Sequence, residues 1–180
     1  EGIKSGEVTK TGKCDISAAA MTITDERKKA ILFSDGYFNA TQALLLQPSS
    51  TVKSLADLKG KKLGAQSGTT GLDYANAQKA ANGYEIIEYQ DEPTQRQALL
   101  TGQIEGAIND LPVWSEVVKA NAGKAIVGPQ FDTGETYGFG MKLDNAELKK
   151  VVDQVLKDAK ADGTYNSIHK KWIGTDAPKS

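Results

Sequence analysis

The chain reads as an α/β protein in which parallel sheets are flanked by helices. Two observations carry this. Short apolar segments of strand character alternate with helical segments along almost the whole 180 residues. The longest periodic segment, Asn145 to Asp162, sets Leu148, Val151, Val152, Val155, Leu156 and Ala159 on one stripe and stops at Gly163, as a helix end should. No internal repeat and no low-complexity linker interrupts the alternation.

The elements follow in order. Cys14 to Ala20 is a short apolar run, read as a strand from Asp15 onward. The single Cys14 has no partner for an internal disulfide, and its place in that run predicts a buried, inert thiol. Thr24 then reads as a helix N-cap, with Asp25 and Glu26 in the first turn and Arg27 one turn in. Ala43 to Gln47 is strand-like, and Leu55 to Leu58 is a short helical turn. The strand Lys62 to Gln66 runs through a glycine-rich turn into a helix over Leu72 to Ala81. A strand over Tyr84 to Tyr89 precedes a helix over Thr94 to Thr101. The strand Ile104 to Ile108 ends in Asn109-Asp110, and Pro112 sits where the helix to Ala120 begins. Strands over Lys124 to Val127 and Thr136 to Met141 lead to the long terminal helix.

Two crossings divide this order into lobes. Gln47-Pro48-Ser49-Ser50-Thr51 leaves the first lobe, and Thr133-Gly134-Glu135-Thr136-Tyr137-Gly138 returns to it. Residues 1–47 with 138–180 then form one lobe and 48–137 the other. A cleft between two such lobes closes by hinge motion around a ligand.

Composition removes several classes of function. Lys and Arg number 22 against 23 Asp and Glu, a net charge of −1, which argues against nucleic acid or an acidic membrane surface as a partner. No apolar run approaches a transmembrane span. No signal peptide or lipid-attachment motif is read, and a start without Met fits a processed or cloned beginning. The only histidine, His169, lies on a basic helix and reads as a surface residue, with nothing to place it beside a nucleophile. No His/Cys cluster has metal spacing, so neither a metal nor a cofactor is expected.

Three features carry the chemistry. Arg27 at a strand-to-helix turn is a preorganised fork for a carboxylate, though a capped surface helix with a solvated Arg fits the same spacing. Gly68-Thr69-Thr70-Gly71 opens a helix, where free N–H groups and the helix dipole favour an anion. It is neither a P-loop nor a dinucleotide fingerprint, and an ordinary tight loop is the plainer alternative. Asp110, at a strand's carboxyl end, suits an ammonium group and equally suits capping of the helix that follows. An anion fork, a helix start and a carboxylate together match the two ends of a free α-amino acid.

These residues belong to a longer ordered set: Gly12-Lys13-Cys14-Asp15-Ile16, Ala20 to Arg27, Phe33-Ser34-Asp35-Gly36-Tyr37, Leu55 to Gly60, Gly68 to Gly71, Ala107-Ile108-Asn109-Asp110 and Tyr137-Gly138-Phe139-Gly140. In that order the chain resembles the solute-binding proteins of polar amino acid ABC transporters. The resemblance implies a periplasmic-binding-protein-like α/β fold, with two lobes joined by two hinge strands. It implies that Arg27 binds the ligand α-carboxylate bidentately, with Thr22 and the adjoining Met21 beside it. Gly68, Thr69 and Thr70 would meet the same carboxylate from the other lobe, and Asp110 would hold the α-ammonium. The implied partners are a free amino acid and the membrane subunits of an ABC transporter. The implied location is periplasmic or extracellular, attached to the cell surface, and the implied role is binding, not catalysis.

Family members begin with a strand, helix and strand ahead of the Gly-Lys-Cys-Asp segment, and that part carries an aromatic residue that packs on the ligand side chain. Here only Glu1 to Gly12 precedes the motif, a polar stretch that matches an amphipathic helix poorly. The first lobe is therefore expected to be incomplete. A truncated chain, a fragment and a natural variant all fit. An unpaired strand edge near Asp15 would invite self-association by strand exchange or lobe swapping. Two other readings stay open. One is an enzyme on the same fold, similar to cyclohexadienyl dehydratase, with Asp110 or Glu135 as proton donor. The other is a fragment that binds nothing.

Overall fold

The computed structural model describes residues 6–178. Along the chain run α1 (Glu7–Lys10), β1 (Ile16–Thr22), α2 (Asp25–Lys28), β2 (Leu32–Phe33) and β3 (Phe38–Leu46). A 3-10 turn, Leu55–Leu58, precedes β4 (Lys62–Gln66), α3 (Thr70–Asn82), β5 (Glu85–Tyr89), α4 (Glu92–Leu100), β6 (Gly106–Asp110) and α5 (Leu111–Ala120). The chain closes with β7 (Ile126–Met141), α6 (Ala146–Ala161) and α7 (Thr164–Ile173). It forms two compact units. One is Ala40–Glu135, and the other is built from the chain on either side of it.

The central unit is a sheet buried on both faces. The apolar run in β3 alternates with period two: Leu44 and Leu46 enter one cluster with Leu58, Leu63, Leu72 and Ile108, while Ala43 and Leu45 enter another with Leu99, Ile104 and Trp114. Strand neighbours run from the first half of β7 to β3, β6, β4 and β5. The sheet is mixed, which corrects the expectation of parallel sheets. β4–β5 and β4–β6 are parallel, because helices α3 and α4 make their crossovers. β3 pairs antiparallel with β6, setting Gln42 opposite Asp110.

In the other unit β1 and β2 both pair antiparallel with the second half of β7. β1 bulges between Ser17, opposite Gly140, and Met21, opposite Gly138, and Ala20 takes φ 47° within the bulge. The bulge re-aims the end of the strand, so that Met21 and Thr22 are both buried after three exposed residues. The core of this unit is small, with Met21, Ile31 and Phe33 at its centre.

Several expectations need correction. The strand expected over Lys124 to Val127 begins at Ile126 and runs on through the glycine-rich return and the strand from Thr136 as one element, β7, since a glycine at position 134 tolerates a left-handed φ of 67° within it. Cys14 lies ahead of β1 and is only half-buried, because the strand starts two residues later. The stripe on α6 has no fully buried member, and Val151 and Val155 are each 60% exposed. Leu148, Val152, Leu156 and Ala159 are half-buried, and polar contacts add to them: Lys149 bonds Asp153 and reaches Asp35 at 3.1 Å, and the Asp35 amide donates to Asp153 at 2.7 Å. Burial works to lower the Lys149 ammonium, but its two carboxylate partners prevail and hold it above the ordinary lysine value.

Candidate functional site

Arg27 and Thr22 are brought together by a local device. Thr24 caps α2 by accepting from the Arg27 amide at 3.1 Å. That fixes the first turn, and the Arg27 guanidinium donates through Nη1 to the Thr22 carbonyl at 2.8 Å. The half-buried fork is thus held at the end of β1, five residues back in sequence. The Met21 side chain lies elsewhere, in the apolar cluster with Ile31 and Phe33.

The central unit gathers the remaining candidates at the carboxyl ends of β4 and β6. Gly68 takes φ 68° in the turn after β4. Thr69 is the N-cap of α3. Its hydroxyl accepts from the Leu72 amide at 3.2 Å and donates to the Gln66 carbonyl at 2.6 Å, so its polar capacity serves the turn itself. Thr70 is the first residue of α3, two residues earlier than the spacing predicts. Asp110 ends β6 and is 8% exposed. It stands at the N-cap position of α5, yet its side chain makes no capping bond. Its Oδ1 instead accepts from Gln42 Nε2 at 2.6 Å.

Gln42 is the residue that sequence reasoning misses. It is fully buried, and its amide nitrogen meets three acceptors: Asp110, Glu135 Oε1 at 2.9 Å and Thr70 Oγ1 at 3.3 Å. Glu135 in turn accepts from Thr70 at 2.7 Å and from Thr133 at 2.8 Å. A lone amide inside the apolar run Ala40 to Leu46 is the signal that points to Gln42. Gly71 is needed beside it, because a Cβ there would stand 2.8 Å from Gln42 Oε1. A second buried amide, Gln95, ties the strand ends together, donating to the Gly64 carbonyl at 2.9 Å and the Ile108 carbonyl at 3.0 Å. His169 lies in the other unit, partly covered, stacked on Phe38, with Nδ1 2.8 Å from the Thr175 carbonyl.

A capped helix start and a buried carboxylate at the carboxyl ends of strands are features of α/β folds that hold small ligands. Residues 6–175 match the bacterial extracellular solute-binding proteins, family 3, and the chain belongs to that family. It is 36% identical over 166 residues to the ABC transporter glutamine-binding protein GlnH of Bacillus subtilis (strain 168). That match takes in 92% of this chain and 60% of the relative, so the chain spans about three-fifths of that relative's length. Among solved structures, an ancestral arginine-binding protein bound to arginine superposes with a TM-score of 0.84 at 35% identity, covering 95% of this chain and 76% of that one. An ancestral amino acid-binding protein described as a precursor of cyclohexadienyl dehydratase gives 0.83 at 32% identity, over 95% and 73%. The fold is that of the periplasmic-binding-protein-like α/β class.

Proposed function

We propose that this chain binds a free amino acid outside the cytoplasm for delivery to an ABC transporter. The observation that carries the reading is one amide. Gln42 Nε2 lies 2.6 Å from Asp110 and 3.3 Å from Thr70, so a group suited to an ammonium and one suited to a carboxylate stand within its reach. In the other unit Arg27, pinned to the Thr22 carbonyl, offers a second carboxylate reader. In this reading Arg27, Thr22, Thr70 and the backbone at Gly68 and Thr69 hold the ligand carboxylate, and Asp110 holds its ammonium. Met21 contributes through its main chain, as its side chain is core. The two units are the two lobes of the family, with the chain crossing between them in β3 and β7.

Relatives named for glutamine and arginine support the ligand class. The enzyme reading has less behind it. Asp110 and Glu135 both accept from Gln42, which suits carboxylates that hold a cation better than an acid that surrenders a proton. Exposed apolar groups on α6 and α7 support self-association.

Calorimetry with the twenty amino acids tests the assignment. Arg27→Ala is expected to lose about 3 kcal/mol of binding, the scale for removing one partner of a desolvated charge pair. Asp110→Asn is expected to weaken an amino acid more than its des-amino analogue. Equal affinity in wild type and both variants would remove these residues from the site.

A further inference from the structure

In the central unit the Thr70 hydroxyl is already given to a carboxylate of the chain itself. Its bond to Glu135 Oε2 is 2.7 Å long, the shortest contact either group makes among those described above. A hydroxyl has a single hydrogen to donate. While Glu135 accepts it, Thr70 has none for a ligand carboxylate. The Gln42 amide has two hydrogens, and its two nearest acceptors, at 2.6 Å and 2.9 Å, are the carboxylates of Asp110 and Glu135. The side chain of Glu135 thus claims the Thr70 hydroxyl and shares the buried amide behind it.

We infer that Glu135 is a tethered competitor of the ligand carboxylate and so sets the affinity of the site. This rests on the reading above, in which Thr70 meets that carboxylate. To bind, a ligand must take the Thr70 hydrogen from Glu135 and bring a second negative charge close to the first. The displaced carboxylate keeps a partner, because Thr133 donates to its Oε1 at 2.8 Å from two residues away on the same strand. Glu135 is half-buried and not sealed in, so water can replace what Thr70 gave. The competition therefore has a finite cost and tunes affinity without abolishing it. It also confers selectivity. A ligand with a full carboxylate makes a charge-assisted bond strong enough to displace another one, whereas a neutral carbonyl does not.

The test is titration calorimetry of L-arginine, L-glutamine and the other eighteen amino acids into wild type, Glu135→Ala and Glu135→Gln, with thermal melts as a control on folding. For whichever amino acid wild type binds, Glu135→Ala is expected to bind it about tenfold more tightly, the scale of one charge-assisted hydrogen bond. Glu135→Gln keeps a weaker acceptor for Thr70 and is expected to gain about threefold, and it carries the test if the alanine variant is unstable. In a Thr70→Val background the gain is expected to vanish, since nothing is left to contest. Binding by wild type with equal or weaker binding by the Glu135 variants would overturn the competitor role and leave the amino acid assignment standing. Weaker binding would make Glu135 a second arm for the ammonium. A gain that persists with Val at position 70 would overturn it as well. No binding by any form would sink the functional reading and the inference together.

Discussion

Gln42 is where burial and polarity meet most sharply. A fully buried amide stands between two carboxylates, and replacing it with an apolar side chain would take from both the donor they share. Gln42→Leu is expected to cost about 2–3 kcal/mol of stability, the scale of losing hydrogen bonds to charged acceptors, read from the midpoint of urea unfolding. A loss under about 0.5 kcal/mol would mean that the carboxylates find water or other donors instead. Residues at this scale differ in how far the sequence reveals them. Thr24 and Arg27 are legible because their bond spans three residues and follows helix-start chemistry. The Gln42–Glu135 bond spans 93 residues, and no spacing rule in a single chain reports a contact of that kind. Asp110 sits between these cases. Its position is legible from the strand end and Pro112, but the choice between cap and acceptor is decided by Gln42 from a strand that pairs with its own.

Among the elements, α3 carries the helix start of the proposed site and is anchored at both ends. Thr69 caps its beginning, Gly83 ends it at φ 70°, and the buried Tyr84 hydroxyl donates back to the Ala75 carbonyl at 2.7 Å. Burial pushes the Tyr84 phenol from 10.0 up to about 12. The fold thus favours the neutral phenol. Below pH 10 both folded and unfolded chains hold the proton and the contribution is complete. Above it the unfolded chain ionises first, and the contribution is lost as pH rises through about 12. Tyr84→Phe should be less stable than wild type by about 1 kcal/mol at neutral pH, from the lost hydrogen bond. Denaturant titrations should show that gap closing between pH 10 and 12. A gap that stays constant with pH would mean that the phenol is not held neutral. The long helix α6 teaches a different lesson about elements. Its stripe establishes α6 as a helix, but periodicity cannot say whether a partner covers the stripe, and Val151 and Val155 lie open.

For the molecule as a whole, the order of strands and helices was legible because alternation of apolar runs is a local property. The sheet's mixed sense was not, since pairing direction depends on which crossovers contain a helix and which are long returns. Open apolar groups on α6 and α7, with Trp172 at 63% exposed, lead us to expect reversible self-association at micromolar concentration. Static light scattering should report a mass that rises above that of one chain, and Trp172→Lys with Val155→Lys should lower it. A mass that stays at one chain across the range would end that expectation. The unbroken course of β7 has its own bearing on how the chain can be taken apart. It serves the sheets of both units, and the boundary between them falls within it, after Glu135. Proteases cut where several residues of backbone can be drawn free of their hydrogen bonds. At this boundary the Thr136 and Tyr137 carbonyls are both engaged, by the Ile23 and Tyr37 amides at 2.9 Å. Proteolytic trimming of the two units into separate pieces therefore has no slack peptide to begin on here, and brief digestion should leave Thr133 to Gly138 uncut.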